Sequence, residues 1–143
     1  MKITETITVR YAETDRMGIV HHSNYPIWYE VARTKLIKEM GISYSNLEAS
    51  GIFLPLTELH SRFIQSCGYE DELIITAKLT AYSVVRITIE YEVYKKDTGV
   101  LINTGYTTHA IVDHNMKPIN IKKKYPDFYQ ILENNYEPAS YYK

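Results

Sequence analysis

Residues 11 to 40 read YAETDRMGIVHHSNYPIWYEVARTKLIKEM, and the fold follows from how this stretch is parsed. Its second half is a helix. Trp28, Ala32, Leu36 and Met40 recur at four-residue spacing, flanked by Tyr25, Tyr29 and Ile37, so one face is apolar. Glu30, Thr34, Lys35, Lys38 and Glu39 fall on the polar side. Ser23 or Asn24 is placed to cap the start, because a short side-chain oxygen accepts from the unpaired N–H groups of a first turn. Pro26 sits just inside, where its missing N–H costs nothing. Gly41 follows the last helical residue, where a left-handed backbone is wanted. At ~1.5 Å per residue the helix is ~25 Å long, enough for the central spine of a domain. The first half is a polar turn with one carboxylate, Asp15, and one flexible residue, Gly18, leading into His21, His22, Ser23 and Asn24.

Around this spine the chain reads mostly as strands. Residues 3 to 11 alternate, with Ile3, Ile7, Val9 and Tyr11 on one side and Thr4, Thr6, Thr8 and Arg10 on the other. Residues 43 to 51 hold a short helix. Residues 52 to 66 are extended, and Pro55 makes them an edge, a bend or a bulge. After the turn Cys67-Gly68-Tyr69-Glu70-Asp71 come two long strands, 72 to 83 and 84 to 96, rich in Ile, Thr, Val and Tyr. In the second, Val85, Ile87, Ile89, Tyr91 and Val93 share a face. Asp97-Thr98-Gly99 is a hairpin turn. A last strand runs from 100 to 113, where Gly105 signals a close backbone approach or a bulge. Pro126 opens a terminal helix to Asn134, and residues 136 to 143 read as a loosely ordered tail.

One long helix followed by antiparallel strands is α+β, with a twisted sheet curling around the helix. At 143 residues the chain suits a single domain, residues 1 to 143, with a core over about 3 to 121 and a helix and tail over 122 to 143. Open sheet edges predict self-association as a homodimer or homotetramer.

Composition removes several functions. The formal net charge of −1 offers no basic field for nucleic acid. No apolar run approaches the ~20 residues that span a bilayer, and the alternating start is not a signal peptide. Cys67 is the sole cysteine, so no intrachain disulfide forms, as suits the cytoplasm. Motifs for a nucleophile elbow, a phosphate loop, a dinucleotide fold or a zinc helix are all missing. The five histidines lack metal-ligand spacing, and His21 and His22 would point apart in extended chain. Cys67 reads as a turn or core thiol, with no local base to activate it.

Asp15 and the helix start remain. Asp15 can activate water or attack a carbonyl, and the helix N–H groups can hold a developing oxyanion. That pair suffices to hydrolyse an activated acyl group. Equally, Asp15 can serve only to brace its turn.

A resemblance separates these readings. Thr14-Asp15, Gly18-Ile19-Val20, Asn24-Tyr25 and Glu30-Val31-Ala32-Arg33 together resemble the opening of hotdog-fold acyl-CoA thioesterases of the 4-hydroxybenzoyl-CoA thioesterase and YbgC-like group. Tyr69-Glu70-Asp71-Glu72-Leu73 and Gly105-Tyr106-Thr107-Thr108-His109 agree with it. The similarity spans roughly residues 5 to 121. It implies a long helix wrapped by an antiparallel sheet, edge-to-edge dimers, and hydrolysis of acyl-CoA without a cofactor. By the same resemblance Asp15 is the catalytic carboxylate, the backbone N–H of His22 is the thioester-oxygen donor, and the His22 side chain orients substrate or water. Gly18, Asn24, Tyr25, Trp28 and Tyr29 are the implied substrate-binding residues: Asn24 and Tyr25 shape the helix start, and Tyr25, Trp28 and Tyr29 line the acyl end. Coenzyme A lies across the subunit boundary, with Arg62, Arg86 and Lys122 to Lys124 as candidates for its phosphates. Glu30 reads as a solvated charge. The alternatives are an acyl-carrier-protein thioesterase of the same fold, disfavoured by net charge −1, and a non-catalytic acyl-CoA binding module, disfavoured by an intact Asp15. A hotdog dehydratase does not fit the Thr-Asp turn.

Overall fold

A computed structural model describes residues 1–140. It contains β1 (Lys2–Thr8), a 3-10 turn (Tyr11–Glu13), α1 (Asn24–Glu39), α2 (Tyr44–Ala49), β2 (Leu56–Phe63), β3 (Glu72–Tyr82), β4 (Arg86–Lys95), β5 (Leu101–Ala110), α3 (Ile121–Lys124) and α4 (Pro126–Asn135). The five strands form one antiparallel sheet in the order β1-β3-β4-β5-β2.

The sheet wraps α1. Lys35 Nζ donates to Thr4 O of β1 at 2.7 Å. Tyr29 stacks on Tyr91 of β4 at 4.4 Å. The Tyr29 hydroxyl donates to Asn103 of β5 and lies 2.9 Å from Ser61 Oγ of β2. The apolar face predicted for α1 is the buried one: Tyr25, Trp28, Tyr29, Ala32, Leu36, Ile37 and Met40 all lie in the core. Opposite them on the concave face stand Leu73, Ile75, Ala77 and Leu79 of β3 with Ile87, Ile89, Tyr91 and Val93 of β4. Burial of such side chains is the main favourable term in folding.

Several expectations change. The first strand stops at Thr8, and Tyr11 starts the 3-10 turn with its side chain exposed, so the odd-numbered face does not extend that far. The extended segment 52 to 66 narrows to β2, an edge strand with Pro55 just ahead of it and a register shift between Leu56 and Glu58. Lys122–Lys124 belong to α3, a helical turn that the charge run did not announce. Residues 136 to 140 are not a loose tail. Tyr136 bridges Leu79, Glu137 N–H donates to Leu79 O at 2.9 Å, and Ser140 N–H donates to the Glu90 carboxylate at 3.1 Å. Residues 141 to 143 of that predicted tail lie outside the described residues. On the convex face Glu90 and Glu92 are buried. Glu92 keeps a 3.3 Å ion pair with Lys2.

Candidate active site

Between the 3-10 turn and α1 the chain doubles back on itself. His21 N–H donates to Glu13 O at 2.9 Å, Thr14 pairs with Val20, and Asp15 N–H donates to Ile19 O at 2.9 Å. The tip closes through Gly18 N–H to Asp15 O at 3.0 Å, with Gly18 at φ +79°, a conformation glycine adopts without strain. Val20 N–H donates to Cys67 O at 2.8 Å and fastens the loop to the sheet. Asp15 is thereby held on one arm and His22 just beyond the other.

The Asp15 carboxylate does brace the turn, but with one oxygen. Oδ1 accepts from Met17 N–H at 2.8 Å. Oδ2 takes no hydrogen bond from any described residue. On the other arm, the His22 N–H has no acceptor among the described residues, although Asn24 N–H and Tyr25 N–H donate back to His21 O and His22 O. A single amide, not the whole helix start, is thus open to a ligand. The predicted cap is also different. Ser23 makes no side-chain bond to the helix; its hydroxyl lies 2.8 Å from His21 Nδ1. Asn24 instead donates through Nδ2 to Glu13 O and His21 O. The chain turns tightly here, so His21 and His22 do not point apart: their rings lie 4.1 Å between centres.

Asp15 and His22 line one cavity of about 260 Å³ together with Met17, Ile19, Val20, Tyr25 and Phe63 to Ser66. That is below the ~300–1,000 Å³ of a site enclosing a drug-sized ligand, so it has room for only part of one. Phe63 sits edge-on to Tyr25 at 5.2 Å and faces His22 at 6.5 Å.

The structure brings Asp15, His22 and Tyr25 together at the cavity, and Gly18 and Asn24 act on its frame. Trp28 and Tyr29 do not line it. Both are buried in the core, and their polar tips are taken by Glu13 and by Asn103. Arg62 pairs with Thr104 on the convex face of β2, away from Phe63. Arg86 opens β4, and Lys122 follows Ile121, whose N–H donates to Val84 O. Both therefore sit at the far end of the long strands from the Asp15 loop. Lys122 Nζ rests 5.5 Å over the Tyr129 ring. Glu30 is exposed and outside the cavity. Sequence reasoning missed Phe63, Ile64, Gln65 and Ser66, which no local pattern marks; only the edge character of β2 hinted at them.

Cys67 is 3% exposed, 3.5 Å from the Tyr25 hydroxyl, and burial pushes its thiol up, so it stays protonated and inert. No trio of His, Cys, Asp or Glu among the described residues is grouped to hold a metal ion. No helix among them is long and apolar enough to cross a membrane.

A long helix wrapped by one curved antiparallel sheet is the hotdog arrangement. The chain belongs to the thioesterase-like superfamily, whose family model matches residues 9–131. YneP of Bacillus subtilis (strain 168), whose name assigns acyl-CoA thioesterase activity provisionally, is 35% identical over 128 residues, 89% of this chain and 92% of that protein. The DHNA-CoA thioesterase structure from Staphylococcus aureus superposes with a TM-score of 0.87 at 33% identity, covering 93% of this chain and 89% of that one. The acyl-CoA thioester hydrolase YbgC of Escherichia coli O157:H7 is 21% identical over 82% of this chain and 87% of its own.

Proposed function

We propose that this enzyme hydrolyses acyl-CoA thioesters, with Asp15 as general base or nucleophile and the His22 N–H as oxyanion donor. The observation that carries the reading is the pairing of unengaged groups in one cavity: Asp15 Oδ2 and the His22 amide. In the base route Asp15 takes a proton from water as it attacks the thioester carbon. In the nucleophile route Oδ2 attacks, CoA thiolate leaves, and water cleaves the resulting anhydride. Both routes end in a carboxylate and free CoA, and both place negative charge on the carbonyl oxygen, where a fixed N–H stabilises it. Neither needs a metal or a cofactor.

An aromatic acyl group fits best. Met17, Ile19, Val20, Tyr25, Phe63 and Ile64 give a flat ring apolar walls, and Gln65 and Ser66 offer partners for ring hydroxyls. The named activity of the Staphylococcus aureus relative points the same way.

Coenzyme A then leaves the cavity across a subunit boundary. The outer edge of β2 has no partner strand in the sheet, and Leu56, Leu59, Phe63 and Ile64 are exposed along it. Two copies paired antiparallel through β2 form a homodimer, and tetramers follow by pairing dimers. Such pairing sets the Leu56 end of one strand beside the Phe63 end of the other. The partner's Arg86 and the partner's Lys122 then approach this cavity from the side, as cations for the nucleotide phosphates. A cytoplasmic setting suits both CoA thioesters and the free thiol of Cys67.

The test is thiol release with benzoyl-type, short-chain and long-chain acyl-CoA and with DHNA-CoA, alongside Asp15→Asn. An aromatic thioester turns over fastest, and the variant loses at least ~100-fold in kcat. Undiminished turnover by Asp15→Asn removes Asp15 from the chemistry. Turnover only of carrier-protein thioesters, or binding without turnover, replaces the substrate assignment.

A further inference from the structure

Glu13 is a buried carboxylate two residues from Asp15 that the hydrolysis itself does not use. It is 3% exposed. Oε1 accepts from Arg10 N–H at 2.7 Å, and Oε2 accepts from Trp28 Nε1 at 2.9 Å inside the core. The Arg10 guanidinium reaches it only at 3.5 Å and is itself mostly exposed. The backbone carbonyl of the same residue accepts from His21 N–H and from Asn24 Nδ2, each at 2.9 Å. One residue thus joins the end of the first strand, the second arm of the catalytic loop and the first two turns of α1.

We propose that Glu13 is the positioning residue of this site: it fixes the spacing between the Asp15 carboxylate and the His22 amide by tying the loop that carries both to Trp28. This rests on the assignment of Asp15 above. Below the Asp15–Ile19 bond the loop has two ladder steps, Thr14 with Val20 and His21 N–H to Glu13 O, with further ties from Val20 N–H to Cys67 O and from Asn24 Nδ2 to Glu13 O. The Glu13–Trp28 bond adds a water-shielded tie from the base of that ladder to the second turn of α1, and with the Asn24 tie it fixes the angle between loop and helix. A displacement of about 1 Å between reacting groups costs on the order of 100-fold in rate, so a clamp at this place acts on turnover more than on binding. The carboxylate form is the one required, since it accepts at both oxygens. Burial pushes its pKa up, but hydrogen bonds from Arg10 N–H and Trp28 outweigh that and hold it below the usual glutamate range.

Glu13→Gln tests this, because an amide accepts at one atom only. Either Arg10 N–H or Trp28 Nε1–H is then left facing a donor. The expected result with an aromatic acyl-CoA is a loss of about 30–100-fold in kcat with KM within about threefold. The deciding measurement is the same substitution in the Asp15→Asn background. A residue that acts through Asp15 adds less than about twofold to the loss already there. The same fold-loss in both backgrounds, or a kcat within about threefold of wild type, overturns the proposal. If Glu13→Gln fails to fold, Trp28→Phe, which keeps the ring and drops the N–H, is taken through the same cycle with the same criteria. Full turnover by Asp15→Asn alone refutes the underlying assignment, and is seen before Glu13 is touched.

Discussion

Tyr29 occupies the space that a side chain on Gly105 would need. A β-carbon built at residue 105 falls 2.7 Å from Tyr29 Cζ and 2.6 Å from His60 O, the latter a backbone atom of the neighbouring strand. The ring cannot retreat, since it is stacked on Tyr91 and its hydroxyl is bonded to Asn103 and Ser61. Gly105→Ala should therefore destabilise the fold by about 3 kcal/mol, as overpacking of a rigid core does. Urea unfolding at neutral pH measures this. A loss below about 0.5 kcal/mol would mean that α1 is not seated this tightly on β5.

His109 makes stability depend on pH above the carboxylate range. It is 2% exposed, with Nδ1 3.1 Å from Leu54 O and Nε2 2.9 Å from Thr107 Oγ1. Burial, then the nearby Arg33 cation, lower its pKa to about 4, while the Leu54 carbonyl opposes them. Arg33 is fixed there by the Tyr44 and Tyr91 hydroxyls at 3.1 Å each. Between the unfolded value near 6.5 and the folded value the unfolded chain binds the extra proton, so stability falls as pH drops through that window. The full effect is about 3 kcal/mol. Urea midpoints at pH 7, 5.5 and 4.5 should decline for the wild type. The decline should be shallower for His109→Gln, because glutamine does not titrate. Parallel slopes would remove His109 as the cause.

These two cases mark what the sequence could and could not reveal. The α1 stripe and the Asp15 turn were legible because both are local: periodicity, a proline, a glycine and one carboxylate within 30 residues. Gly105 was legible as a close approach, but not the identity of what approaches. The resemblance puts Trp28 and Tyr29 at the acyl end, and the structure does not. Their polar tips find partners in Glu13 and Asn103, and that lets them sink into the core. The pairing with Asn103 spans 74 residues of chain, beyond any local pattern. Phe63 to Ser66 reach the cavity only because β2 crosses to the outer edge of the sheet beside β5.

Phe63 supplies one wall of that cavity, standing edge-on to Tyr25. It is remote from the Asp15 loop in sequence and offers no group that titrates or donates. Its removal should therefore weaken binding in ground and transition states alike. Phe63→Ala is expected to raise KM for an aromatic acyl-CoA about 10-fold with kcat within about threefold, matching ~1.4 kcal/mol of lost apolar contact. Steady-state kinetics with aromatic and short-chain substrates test this, the short-chain KM moving less. A kcat collapse with KM unchanged would instead place Phe63 against the reacting carbonyl.

Leu59 tests the subunit boundary separately from the chemistry. It pairs with Thr107, so it lies on the same concave face as Phe63, and it is 40% exposed on a strand with no outer neighbour. A lone apolar residue on a surface means little, but four along one edge that is unpaired among the described residues support the proposed docking of a second strand there. A lysine at residue 59 puts a charge where that strand would lie, at a position outside the buried core cluster. Leu59→Lys should shift sedimentation from dimer or tetramer toward monomer at micromolar concentration, with the unfolding midpoint of the isolated chain little changed. Activity should fall with the oligomer, since the coenzyme A phosphates would lose the cations that a partner brings. Monomeric wild-type protein with full turnover would overturn the shared site. An oligomer that survives the lysine would move the contact to another face.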